Sequence, residues 1–176
     1  MVDDSTPTSG DTPPGNGRGN GGDAPAEASG DAQVGVLAQY VKDLSFENPG
    51  APQSLLAMSE DPNVEINVNV GAVAISANEY EVSLTVNVSA KKDEDVLFVV
   101  ELVYCGVFAL TNLPAEHVQP LLLIECPRLL FPFVRNIVAD ATRDGGFPPL
   151  MIQPLDFAAL YQQQQQDAAT TAPAAS

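Results

Sequence analysis

The sequence predicts an α+β domain, a four-stranded antiparallel sheet with helices packed on one face. Three observations predict it. The segments VEINVNV (64–70) and YEVSLTVNV (80–88) alternate strictly between apolar and polar residues. That period of two, with one wet face, marks antiparallel strands. Residues 129–143 carry Leu130, Phe133, Val134, Ile137, Val138 and Ala141 on one helical stripe. All strand signals precede all helix signals, which places the helices together on one face of the sheet.

Each element has its own justification. Residues 34–46 put Val34, Val36, Ala38, Tyr40, Leu44 and Phe46 at even positions, and Lys42 interrupts the series. The interruption suggests an edge strand or a local bulge. The strand breaks at Asn48-Pro49-Gly50, where turn residues cluster. Strands 64–70 and 80–88 follow, and KKDED (91–95) reads as the hairpin turn into 96–110, VLFVVELVYCGVFAL. This last strand is apolar at both parities, so both faces are expected to be covered, one by helices and the other by a second subunit. The expected connectivity is a meander with the last strand at an oligomer contact.

A short helix is expected from Pro114 to about 124, with Pro120 against it. The 129–143 helix is expected to start near Pro132, since proline fits the first turn, and to end at Gly145-Gly146. The final helix has Asp156 as N-cap, with Leu155 placed to pack on Leu160.

The ends differ from the middle. Residues 1–32 form an acidic Gly/Pro-rich tail and 163–176 a tail of similarly biased composition, although the glutamines can extend a helix. Neither holds enough apolar area to offset the entropy of ordering it. Residues 33–162 form the domain, of ordinary size.

Composition excludes several function classes. The formal charge is -16, from 23 acidic and 7 basic residues. Such a polyanion is repelled by nucleic acid and by anionic membrane surfaces and attracted to basic partners. No apolar run is long enough to insert in a membrane and no secretory signal pattern opens the chain, so a cytoplasmic protein is expected. The two cysteines, Cys105 and Cys126, form no metal-ligand spacing, and His117 is the only histidine. The glycines of GNGRGNGG (15–22) lack the Lys-Ser/Thr of a phosphate loop. Asp43 and Glu47, four residues apart in a strand, lie about 13 Å from each other, too far for a hydrolytic carboxylate pair. No catalytic residue, metal or cofactor is expected.

Three segments resemble the SecB family of protein-export chaperones: YVKDLSFENPGAP (40–52), VELVYCGVFAL (100–110) and CPRLLFPFVRNIVADATRDGGFPPLMIQPLDFAALY (126–161). The last is similar to the family's CPxxLFPxxR … GxFPxLxLxPxxFxxLF region. The resemblance implies a homotetramer, a dimer of dimers. It implies an ATP-independent chaperone that holds precursor proteins unfolded and delivers them to the SecA motor. It assigns motor contacts to Asp43 and Glu47 in the KDxSFE segment, to Glu101, and to Val99, where the family usually has Leu. The motor's contacting part is a small zinc-bearing, Lys/Arg-rich module. The family's loop tryptophan is absent here, and Cys105 replaces one glycine of its Gly-Gly pair. Client-binding candidates are Leu55, Leu56, Met58, Phe133, Phe157 and Tyr161. A chaperone of the same fold dedicated to a toxin–antitoxin system is the alternative.

Overall fold

The computed structural model describes residues 31–56 and 62–171, so the expected tails over 1–30 and 172–176, and Met58, lie outside the described residues. The elements are β1 (Gln33–Glu47), α1 (Gln53–Leu56), β2 (Asn63–Ala74), β3 (Glu79–Lys92), β4 (Asp95–Thr111), α2 (Ala115–Pro120), a π-helical turn (Leu121–Glu125), α3 (Cys126–Asp144) and α4 (Phe157–Thr171). The glutamines, good helix formers, carry α4 past residue 162, where the sequence reading ended the domain.

The four strands form one antiparallel sheet in the order β1-β4-β3-β2. Only β2-β3-β4 is a meander; β1 pairs with β4, against the expected connectivity. The doubly apolar β4 therefore occupies the interior of the sheet. Phe98, Val100, Leu102, Tyr104, Phe108 and Leu110, all at even positions, join the core beneath the helices. On the other face Cys105 is fully buried, within the chain itself. That burial needs no second subunit, because Tyr40, Lys42 and Glu81 from the two flanking strands meet over it.

Two bulges, between Val36 and Ala38 and between Val41 and Asp43, break the register of β1. Each inserted residue reverses the faces. Ala38 and Tyr40 consequently stand opposite Val107 and Cys105 on the outer face, not with Val36 and Leu44 as simple alternation implied. The interruption at Lys42 is the second bulge.

The core joins Val82, Leu84, Val86 and Val88 of β3 to Val100 and Leu102 of β4 and to Leu130, Val134 and Val138 of α3. Gly106 permits this approach: a Cβ there would lie 2.8 Å from Cδ2 of Leu130. Cys105 projects to the opposite face, which explains why a side chain replaces one glycine of the pair and not the other.

Helix α3 begins at Cys126, earlier than expected, and Pro132 lies inside it. Pro127 takes the early position where a missing N–H costs little. Pro132 and Arg128, whose carbonyl loses its partner, are both exposed, so water can satisfy that carbonyl. The π-helical turn follows Pro120 directly, and the N–H of Cys126 donates to the carbonyl of Leu121, five residues back.

Candidate functional site

The strand register fixes which residues share the outer face, away from the helices. Glu47 stands opposite Val99, Ser45 opposite Glu101 and Asp43 opposite Val103. No bulge falls within 43–47, so Asp43, Glu47, Val99 and Glu101 all project from one side of two neighbouring strands. Glu101 is the diagonal neighbour of both Asp43 and Glu47, roughly 7–8 Å from each. The three carboxylates are exposed, with half-exposed Val99 and Val103 between them. The expected grouping is therefore present, on a flat sheet surface.

The sequence reading missed Glu65 of β2, which occupies the same face. It pairs with Ser89, Ser89 with Val99, and Val99 with Glu47, in one row across the sheet. The strict alternation of VEINVNV carried the signal, but strand order was needed to set it beside Glu47.

Beyond Asp43 the same face carries a bonded trio. Tyr40 donates its hydroxyl proton to Glu81 Oε2, and Lys42 Nζ donates to Oε1 of the same carboxylate at 2.7 Å. The hydrogen bond from Lys42, then that from Tyr40, holds the Glu81 carboxyl below its usual range. The Tyr40 phenol is pushed up to about 12, chiefly by its hydrogen bond to Glu81.

The client candidates do not gather in one place. Leu56 is 84% exposed on α1, whereas Leu55 is half-buried against Gly146. Phe133 is 47% exposed and stacks on Tyr104, with ring centroids 6.0 Å apart. The 12 residues from Phe133 to Gly145 span about 18 Å of helix, so Phe133 and Leu55 lie far apart. Phe157 is a correction: it is 1% exposed and meets Phe131 edge to face in the core. The first residue of α4 faces inward because Asp156 caps the helix, accepting from the N–H of Ala159 at 3.0 Å. Tyr161 is half-buried.

An apolar groove of about 310 Å³ lies instead between β2 and α4, lined mainly by Ile66, Val68, Met151, Ile152, Leu155 and Leu160. Sequence reasoning assigned Val68 and Ile66 simply to the inner face of β2. That inner face is only partly covered, and Ile66 remains 38% exposed. A second apolar surface flanks α3: Val36, Val41 and Leu44 of β1, with Leu129 and Phe133, are each more than two-fifths exposed on the helix side of the sheet.

A profile of the family described as preprotein translocase subunit SecB matches residues 27–168. The chain belongs to the SecB family. The protein-export protein SecB of Bradyrhizobium sp. is 56% identical over 147 residues, covering 84% of this chain and 91% of the relative. That of Mesorhizobium japonicum is 56% identical over 149 residues, covering 85% of each chain. That of Zymomonas mobilis is 58% identical over 137 residues, covering 77% of this chain and 83% of the relative. Among solved structures, a SecB-like chaperone of Mycobacterium tuberculosis, in complex with an antitoxin peptide, superposes with a TM-score of 0.59 at 13% identity. It covers 69% of this chain and 90% of that one. This last likeness shows the fold alone. Identity above one half to export proteins favours protein export over a toxin–antitoxin role. SecB proteins are protein-export chaperones and not enzymes, and this chain is one of them. No helix among the described residues is long and apolar enough to cross a membrane.

Proposed function

We propose that this SecB chaperone works in the cytoplasm as a dimer of dimers that holds unfolded precursors and hands them to the SecA motor through the acidic outer face of its sheet. The observation that carries this is the register of β1 on β4, which sets Asp43, Glu47, Val99 and Glu101 on one exposed surface. A basic, Lys/Arg-rich module fits such a surface, and Val99 offers it an apolar foothold. Each exposed ion pair contributes only about 0–1 kcal/mol, so several must act together.

Clients would occupy the groove between β2 and α4, beside Tyr161, the chain neighbour of the groove residue Leu160, while Leu56, exposed on α1, would offer a separate contact. The groove's apolar lining suits the side chains that an unfolded chain exposes. Several such grooves in one particle would raise avidity without demanding a sequence. The exposed apolar surface of β1 and α3, Phe133 included, is better suited to contact between subunits, because it adjoins the open edge of the sheet.

The test is an Asp43→Lys/Glu101→Lys double variant, assayed by calorimetry against purified SecA at low salt with native mass measured in parallel. Affinity should fall about tenfold or more, the particle mass remaining that of a tetramer. Unchanged affinity would refute the docking face; a monomeric wild-type particle would refute the assembly.

A further inference from the structure

The bulge in β1 places a cation within the acidic face. Lys42 is the inserted residue beside Asp43. Adjacent residues at a bulge of this kind project to the same side of the sheet, so an unrestrained Lys42 ammonium could reach the Asp43 carboxylate. Its position argues that it should cancel part of the negative field that the docking reading requires.

The structure turns this cation away. Lys42 Nζ lies 2.7 Å from Glu81 Oε1, on β3. Glu81 stands opposite Val107 of β4, whereas Asp43 stands opposite Val103. Four residues of β4 separate those two rows, about 13 Å along the strand. The second oxygen of Glu81 is held by the Tyr40 hydroxyl, so the carboxylate is fixed from both sides. The Glu81 side chain is only 20% exposed and that of Lys42 is 53% exposed, which makes the acid the ordered partner and the lysine the one that is led.

We infer that Glu81 is a positioning residue for motor docking: with Tyr40 it latches Lys42 across β4, so that the ammonium does not pair with Asp43 and the carboxylates of Asp43, Glu47 and Glu101 stay open to a basic partner. The inference rests on the docking reading above. Glu81 need not touch the motor; it acts through Lys42.

The test is a cycle of variants in the full chain, titrated against the purified SecA motor at low and at moderate salt. Glu81→Gln keeps side-chain shape and releases Lys42. Its affinity should fall about twofold to fivefold at low salt, the range of one exposed ion pair, and the difference should shrink as salt rises. In a Lys42→Met background the same substitution should have little effect, since no cation remains to be released. Glu81→Asp, which keeps the charge, should restore most of the binding. Glu79→Gln removes an acid from the same strand without freeing Lys42, and should act alike in both backgrounds. Equal loss from Glu81→Gln with and without Lys42 would overturn the latch and leave net charge as the cause. No loss from Glu81→Gln, while Asp43→Asn and Glu101→Gln weaken binding, would overturn the latch and spare the docking face. No loss from any of these would defeat the docking reading itself.

Discussion

A methyl group on the α-carbon of Gly145 would lie 2.1 Å from Cζ of Phe46. The end of α3 thus rests directly on the aromatic ring that closes β1. Phe46 in turn stacks on Phe98, and Phe147 tilts against both rings. This contact joins β1 to the helical layer.

Gly145→Ala should therefore destabilise the protein by about 1–3 kcal/mol, the usual cost of overpacking. Urea unfolding at fixed protein concentration measures it, the fixed concentration being needed for an oligomer. Phe46→Leu in the same chain should recover part of the loss, because the smaller side chain vacates the space.

Thr142 is the second tie between helix and loop. Its fully buried hydroxyl donates to the carbonyls of Val138 or Ala139 and accepts from the N–H of Leu150 at 2.9 Å. Thr142→Val keeps the shape but orphans that N–H. A loss of about 1–3 kcal/mol is expected, with faster hydrogen exchange at Leu150 as the local signature.

Phe157 and Leu56 should behave in opposite ways. Phe157→Ala removes a core ring and should cost about 3–5 kcal/mol. Leu56→Ser, at a site 84% exposed, should change stability by no more than about 0.5 kcal/mol. An aggregation-suppression assay on the folded Leu56→Ser variant then reads client holding without a stability artefact, and weaker suppression is expected.

The Tyr40–Glu81 bond sets a pH window. The phenol keeps its proton in the fold up to about 12, above its ordinary value of 10.0. Its stabilisation is therefore complete below pH 10 and is lost as pH rises through about 12. Glu81 shifts the other way: its contribution is present above its ordinary 4.5 and is lost as pH falls through its lowered value. In an alkaline absorbance titration one late-ionising tyrosine should disappear in Tyr40→Phe.

The sequence by itself determined the local features. Strict alternation marked β2 and β3, Asp156 announced the cap of α4, and the spacing of Asp43, Ser45 and Glu47 put two acids on one side of a strand. These follow from bonds and side-chain directions within a few residues, which the chain carries wherever it goes. Tertiary structure alone decided that β4 and not β2 lies beside β1, since strand pairing joins residues some sixty positions apart and alternation is blind to the partner. It also decided that Lys42 reaches Glu81, that Glu65 shares a row with Glu47, and that Phe157 is core while Phe133 is exposed. Local pattern could not separate those two rings, which stand on different helices, because burial depends on what packs against a face and not on the face alone.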